Sequence, residues 1–168
     1  MILLCAMMKF LDYTFLALGS NLGNRQENLT NAVKELRQKC MVVKKSKIYE
    51  SKPLMGLNQP NYLNMVVMVK EDFIAFDLLH FIKGVESGLG RSKQAVWSAR
   101  QIDIDIIFKK DFQLETRDLT IPHMSYNDRD FVLRPMADIA PDFIPVGSSC
   151  SINDMLAACS SKNIVGEV

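Results

Sequence analysis

The alternation of apolar and polar positions is most regular in one short stretch, residues 100–106. Isoleucine occupies every second position of residues 102–106, which predicts a β-strand with one buried face. Asp103 and Asp105 then lie together on the opposite face. Two carboxylates about 7 Å apart along a strand can bind one divalent cation or two adjacent ones. A strand whose polar face is simply in water has the same pattern, so the alternation alone leaves both interpretations open.

Five elements are predicted before this strand. Apolar runs at 13–18, 41–49 and 62–69 indicate strands. Apolar residues repeat every three or four positions from Arg25 and again over 73–89, which indicates two amphipathic helices. The resulting order, β-α-β-β-α-β, is that of an α+β, ferredoxin-like fold, in which an antiparallel sheet is covered by helices on one face. The two aspartates are then expected on the open face, where a ligand can reach them.

The chain beyond the aspartate strand is less regular and is expected to be a C-terminal extension of this core. We predict a hairpin over 108–114 and a helix that starts at Pro135. Ser151 and Asp154 have the spacing of a capping box and predict a closing helix. From Ser160 onwards the sequence has no periodic pattern.

Composition and charge narrow the class of protein. The chain has 168 residues, of which 48% are hydrophobic and 23% charged, as expected for one globular domain over 1–168. The net charge of +1 argues against a nucleic-acid partner or a polybasic membrane protein. We interpret 1–9 as a non-essential N-terminal extension, too short to cross a bilayer. The 4 cysteines lack metal-binding spacing, which favours reduced thiols in a cytoplasmic protein.

Basic residues surround the aspartates in sequence. A polyphosphate needs divalent cations on its bridging oxygens and cationic side chains on the others. Candidates near the strand or in the loops after it are Arg91, Lys93, Arg100, His123 and Arg129. For Arg100, three positions from Asp103, a salt bridge is a competing interpretation.

Two further residues are out of place for their predicted elements. Asn64 lies on a strand face where an apolar residue is expected, so its amide must pair either with the protein or with a ligand such as a heterocycle edge. Trp97 lies in a polar loop, either as an anchor for that loop or as part of a lid over a ligand.

The motif at 97–106 resembles the WGPRxxDLDI signature of the 6-hydroxymethyl-7,8-dihydropterin pyrophosphokinase family. The likeness continues in the family's order at 18–23, 49–56, 59–64, 86–91, 120–123, 129–135 and 139–141. Several motifs in one order are far more specific than any one of them. The resemblance implies a ferredoxin-like fold and transfer of pyrophosphate from ATP to the pterin hydroxymethyl group, with Mg²⁺ as cofactor and AMP as the second product.

The resemblance also implies roles for individual residues. Asp103 and Asp105 would bind two Mg²⁺ ions. The positions that match ATP contacts are Arg91, Trp97, Arg100, Ile106, Thr120, His123 and Arg129, with Ile106 and Thr120 near the adenine. The positions that match pterin contacts are Ser51, Lys52, Leu54, Tyr62, Asn64 and Phe131. Glu86 matches an acidic position that we interpret as supporting. Arg91 and Arg100, together with the two aspartates, are the expected catalytic residues.

The sequence departs from the family pattern in two loops and leaves two rival functions open. Ser98-Ala99 replaces the family's Gly-Pro, and Ser51-Lys52-Pro53 replaces Thr-Pro-Pro, which bears on loop motion more than on reaction type. A nucleotidyltransferase would also use paired aspartates and Mg²⁺ but would release pyrophosphate. A non-catalytic module, such as an RNA-binding sheet, would need exposed aromatic residues on its open face. We expect a monomer that binds only ATP and the pterin.

Overall fold

The computed structural model describes residues 13–54, 58–90, 99–109 and 111–168. Its helices are α1 (Arg25–Leu36), α2 (Ala75–Gly88), α3 (Asp130–Ile139) and α4 (Ile152–Ala158), with a short 3₁₀ helix at Tyr126–Asp128. Its strands are β1 (Thr14–Ser20), β2 (Met41–Lys45), β3 (Tyr49–Ser51), β4 (Tyr62–Lys70), β5 (Asp103–Lys109), β6 (Leu114–Glu115), β7 (Thr120–Ile121) and β8 (Ile164–Glu167). Within these ranges no helix has both the length and the apolar character needed to cross a bilayer.

The main sheet confirms the ferredoxin-like α+β prediction. Its strands are ordered β5-β1-β4-β3-β8, and β2 also pairs with β4, so that β2 and β3 lie along the same edge of that strand. Each of the pairings is antiparallel. β1 is therefore a central strand, between β4 and the aspartate strand β5.

Apolar side chains pack on both faces of this sheet. The first face lies against α1 and α2, whose buried residues include Leu29, Leu36, Leu78 and Ile82. On the other face, residues of α3 and α4 pack with Phe15, Phe108 and other side chains of the sheet. The C-terminal extension thus covers part of the face that the sequence predicts to be open, and the remainder of that face forms the candidate site.

Three local predictions about secondary structure are corrected, and one segment for which the sequence predicts no element forms a strand. The run at 41–49 forms two strands, because Ser46 interrupts it: its hydroxyl accepts a hydrogen bond from Val66 N at 2.9 Å. Residues 114–115 pair with β7 rather than forming a hairpin with β5. α3 begins at Asp130 and carries Pro135 in its interior, because Val132, Leu133, Met136 and Ile139 bury one helical face. The tail after Ser160 forms β8, which pairs with β3.

Candidate active site

The alternation of β5 is as predicted for the part of the strand that carries the aspartates. Ile104 and Ile106 are buried against the helix-covered face, whereas Asp103 and Asp105 point into a cavity on the other face. In the pairing with β1, Asp103 lies opposite Gly19 and Asp105 opposite Ala17. Because these neighbours have little or no side chain, the space above the two carboxylates stays open.

The cavity has a volume of about 360 Å³ and brings together most of the predicted site residues. They line it from β5, from the loops around it, and from the β3–β4 region: Ser51, Lys52, Leu54, Tyr62, Asn64, Arg100, Asp103, Asp105, His123, Arg129 and Phe131. Within the cavity, Asp103 and Asp105 lie on the β5 side of the central strand β1, and Tyr62 and Asn64 lie on its β4 side, so these two halves present different chemical groups.

Two predicted residues lie away from the cavity, and two are not among the described residues. The side chain of Ile106 is buried in the core on the helix side of the sheet. Thr120 belongs to β7, where it pairs with Glu115. Arg91 and Trp97, like Lys93 beside them, lie outside the described residues.

Arg100 and Asp103 form the ion pair that was the competing interpretation from sequence. Arg100 Nη1 donates to Asp103 Oδ2 at 2.8 Å. Roughly a quarter of each side chain is exposed, 26% and 25%, so solvent weakens the pair and a phosphate group can compete for the guanidinium. The guanidinium of Arg100 thus offsets the charge of one of the two aspartates.

The chemistry of the donor set fits a hard cation. Two carboxylates from one strand face supply the oxygen ligands that Mg²⁺ prefers, and Mg²⁺ retains waters or phosphate oxygens in its other positions. The described residues contain no group of three or more His, Cys, Asp or Glu able to hold a metal by themselves. Such a two-carboxylate arrangement suits a cation that arrives with a polyphosphate.

Asn21 fixes the start of the aspartate strand to two loops. Its side-chain oxygen accepts from Arg100 N at 2.7 Å, and its amide nitrogen donates to Gln59 Oε1 at 3.2 Å. The backbone N of Asn21 also donates to the Arg100 carbonyl at 3.1 Å. Asn21 is 1% exposed, so these bonds form away from competing water. The residue therefore holds Arg100 in register with the loop that ends at Pro60.

Glu86 supports the aspartate strand from beneath. This carboxylate of α2 is 1% exposed. It accepts from the backbone N of Ile104 at 2.7 Å and from Lys83 Nζ at 3.1 Å. Burial raises the pKa of Glu86 above its ordinary value, against the opposing effect of Lys83. Because Ile104 lies between the two aspartates, this bond fixes the strand at the point where both carboxylates emerge.

His123 has its tautomer set by the backbone. Its Nδ1 accepts from Ser125 N at 3.3 Å, so the proton of the neutral ring lies on Nε2, which is free to donate a hydrogen bond to a ligand. Burial, followed by the positive charge of Arg129, lowers the pKa of His123 below its ordinary value of 6.5. The ring is therefore neutral at neutral pH and acts as a donor without adding charge.

The lowered pKa of His123 predicts a pH dependence of stability. Below about pH 6.5 the unfolded chain protonates this histidine before the folded chain does, so its contribution to the free energy of unfolding falls as pH decreases. In magnesium-free urea titrations between pH 8 and 5, the stability difference between wild type and His123→Gln should shrink towards acid pH. Met124→Leu, at an exposed neighbouring position without a titratable group, is the control and should keep the wild-type slope. A constant difference for His123→Gln would contradict the prediction.

The other half of the cavity is organised by Asn64, which is 7% exposed. Its amide nitrogen donates to Ser51 Oγ at 2.8 Å, which settles one alternative left open by the sequence: a protein partner does exist. Its oxygen lies on the Gly19 side, 3.5 Å from where a Cβ at Gly19 would be. Tyr62, on the same strand, and Phe131, at the start of α3, supply aromatic surface to the cavity. An amide beside aromatic rings is suited to a flat, polar heterocycle.

Several cavity residues were not identified from the sequence. Ala17, Gly19, Gln59 and Lys83 line the cavity, and Asn21 organises it from behind. The pairing of β1 with β5 and β4 brings the first two into place, and a register of this kind cannot be read from one strand alone. The only available signal was the Gly-Ser-Asn sequence that ends β1.

Comparisons with known proteins agree with this geometry. The sequence model of the family described as 7,8-dihydro-6-hydroxymethylpterin-pyrophosphokinase (HPPK) matches residues 15–141. The 2-amino-4-hydroxy-6-hydroxymethyldihydropteridine pyrophosphokinase of Aquifex aeolicus is 38% identical over 130 residues, which are 77% of this chain and 81% of that protein. The folic acid synthesis protein FOL1 of Dictyostelium discoideum is 42% identical over 133 residues, 79% of this chain but only 20% of that longer protein.

A solved structure agrees on the fold. The crystal structure of Plasmodium falciparum HPPK-DHPS A437G superimposes with a TM-score of 0.70 at 16% identity, over 87% of this chain and 45% of that chain. At this level of identity the likeness concerns the fold alone. It supports the sheet order and the position of the cavity-forming strands.

Proposed function

This chain belongs to the 7,8-dihydro-6-hydroxymethylpterin-pyrophosphokinase family, and we propose that it transfers pyrophosphate from ATP to 6-hydroxymethyl-7,8-dihydropterin, a step of folate biosynthesis. The products are AMP and the pterin diphosphate. The observation that carries the proposal is that Asp103 and Asp105 share one cavity with Asn64 and the aromatic residues beside it. A magnesium polyphosphate and a pterin can thus meet within one site.

Asp103 and Asp105 hold the magnesium, and two ions fit a triphosphate whose reacting and leaving oxygens both need neutralisation. Bound Mg²⁺ supplies Lewis-acid stabilisation to the phosphate oxygens as negative charge develops on them. The carboxylates themselves keep the cation on the cavity side of β5, since the strand's other face is packed with isoleucine.

Cationic groups hold the phosphates. Arg100 exchanges its bond with Asp103 for a phosphate oxygen, and Arg129 contributes a second guanidinium from the position just before α3. His123 donates from Nε2 as a neutral ring. Arg91 and Trp97 complete the nucleotide contacts in the proposal, and the adenine lies towards Thr120 and the backbone at Ile106.

The pterin occupies the other half of the cavity. Asn64 hydrogen-bonds the edge of the ring, and Tyr62 and Phe131 pack against its faces. The loop residues Ser51, Lys52 and Leu54 close the remaining side. Burial raises the pKa of Tyr62, so its hydroxyl stays protonated and neutral at physiological pH.

Transfer is an in-line displacement at the β-phosphorus. The pterin hydroxyl oxygen forms a bond to that phosphorus while the bond to the oxygen that bridges to the α-phosphate breaks. AMP leaves with that bridging oxygen and its electron pair, and the hydroxyl proton passes to solvent. The arginines stabilise the charge on the transferring group, and the cavity holds both reactants at reacting distance, so that no strong protein base is needed.

A product assay tests the proposal. The purified chain is incubated with ATP, 6-hydroxymethyl-7,8-dihydropterin and Mg²⁺, with a magnesium-free reaction as control, and the nucleotides are separated by chromatography. We expect AMP and the pterin diphosphate in equal amounts, only when the metal is present. Pyrophosphate would indicate the nucleotidyltransferase alternative, and ADP would indicate an ordinary kinase. An absence of turnover would favour a binding module.

The organisation of the active protein is part of the proposal. The single domain over 1–168 works as a monomer in the cytoplasm, with 1–9 dispensable for activity. Size-exclusion chromatography with light scattering measures whether the protein is a monomer. Deletion of 1–9 followed by the product assay measures whether these residues are dispensable.

A further inference from the structure

The last part of the chain contacts two separate walls of the cavity, although it lies beyond residues 15–141 that match the family. One wall is formed by Ser51 at the end of β3 and by Lys52 and Leu54 of the loop that follows. The other is the start of α3, with Arg129 and Phe131 on either side of Asp130. Residues 161–164, which we call the C-terminal clamp, lie between these walls and bond to both.

The bonds to the first wall run along the backbone. Ser51 pairs with Ile164 in the β3–β8 ladder. Lys52 N then donates to the Asn163 carbonyl at 2.9 Å, one residue beyond the end of β3. The clamp therefore extends the pairing up to the residue at which the loop turns into the cavity.

The bonds to the second wall converge on one carboxylate. Asp130 is 7% exposed and accepts from Ser161 Oγ at 3.0 Å and from Ile164 N at 3.0 Å. It also accepts from the backbone N of its neighbour Phe131 at 3.0 Å. Asn163 Nδ2 donates to Ser161 Oγ at 2.6 Å, which orients that hydroxyl towards the carboxylate. Hydrogen bonds to a buried charge are stronger than those between neutral groups.

We propose that Asp130 and the C-terminal clamp are positioning elements that set the spacing of the two walls enclosing the pterin. The role rests on the proposed function, because these walls carry Ser51, Lys52 and Phe131, its proposed pterin contacts. The phosphate half is held by other bonds. β5 is fixed by β1 and Glu86, and the Arg129 carbonyl is fixed by Val132 N and Leu133 N within α3.

The test compares Asp130→Asn with Glu167→Gln. The first variant keeps the side-chain shape but removes the charge and one acceptor. The second changes Glu167, which lies on β8 like Ile164 but outside the clamp, and removes only its exposed ion pair with Lys47. We expect Asp130→Asn to raise KM for the pterin about tenfold and to change KM for ATP by less than about twofold, because a looser wall must be ordered when the pterin binds. Glu167→Gln should match wild type in both constants.

A second measurement does not depend on turnover. Amide hydrogen exchange of a peptide covering 48–54 should be about tenfold faster in Asp130→Asn than in Glu167→Gln, because Lys52 N loses the support of its partner. Equal exchange rates in the two variants would contradict the positioning role of the clamp. KM values for ATP and pterin that rise together in Asp130→Asn would contradict it as well. If Asp130→Asn fails to fold, Ser161→Ala is used instead, because it removes one hydrogen-bond donor to Asp130. Its effects on KM for the pterin and on amide exchange should have the same direction and be smaller. If wild type shows no pterin turnover, the proposed function fails. The exchange comparison still shows whether the clamp holds the backbone of 48–54 in place.

Discussion

Replacing either Asp103 or Asp105 with alanine should lower kcat by at least about 10³-fold while the protein stays folded. Both carboxylates point into the cavity, and no third acidic, histidine or cysteine ligand among the described residues can take over a cation there. Loss of one should leave magnesium triphosphate poorly placed for in-line attack. Both side chains are only partly buried, so we expect the melting temperature to change by a few degrees at most.

Matched variants separate charge from shape in this experiment. Asparagine at either position retains the side-chain volume and should still reduce kcat by about 10²-fold, because the amide binds Mg²⁺ weakly. Asp111→Ala removes an exposed carboxylate just beyond β5 and should have wild-type kinetics. Near-normal turnover of either alanine variant in Mg²⁺ would show that the metal assignment is wrong. Melting temperatures with and without Mg²⁺-ATP check the fold and the loss of metal-nucleotide binding.

The second large effect is expected at Asn64. Substitution by alanine should reduce kcat/KM for the pterin by about 10²- to 10³-fold, because the ring edge loses a matched donor and acceptor and its own polar groups are left unpaired. Affinity for Mg²⁺-ATP, measured by calorimetry, should stay within about threefold of wild type, since Asn64 lies in the other half of the cavity.

Ser51→Ala provides the control for this prediction. It removes the hydrogen bond between Ser51 Oγ and the Asn64 amide but leaves the amide itself in the cavity. Its effect on kcat/KM for the pterin should be at most about tenfold. If Ser51→Ala were as damaging as Asn64→Ala, then Asn64 would act by supporting β3 and not by contacting the ring.

The parts of the site that could be predicted from sequence are those encoded by local periodicity. A period of two was sufficient to place Asp103 and Asp105 on the face opposite the isoleucines of β5, and the structure confirms this. The helices α1 and α2 were predicted from their apolar repeats for the same reason. The resemblance to the family further predicts which loops lie next to this strand. Most of the site residues predicted in those loops line one cavity. Their individual roles stay predictions.

What could not be predicted depends on partners that are distant in the chain. The small residues Ala17 and Gly19 matter only because β1 pairs with β5 in one register. β8 has no periodic pattern, since it is a short strand that is defined by its pairing with β3. The break at Ser46 likewise reflects a bond to Val66, 20 positions away. The ion pair between Arg100 and Asp103 is different, because the two residues are only three positions apart and the pair was one of the interpretations open from the sequence; the phosphate contact of Arg100 stays a prediction.

The central position of β1 has a consequence for the order of folding during synthesis. β1, the first of the described strands in chain order, pairs with β4 and with β5, so its backbone groups lack their second partner until residues 103–109 have been made. The wall at Ser51 is completed later still, when residues 163–167 reach β3. Pairings this distant in sequence form slowly, because the entropy of closing a long loop is lost before the contacts contribute favourable free energy. We therefore expect the nascent chain to stay without a working site until residues 163–167 have been translated.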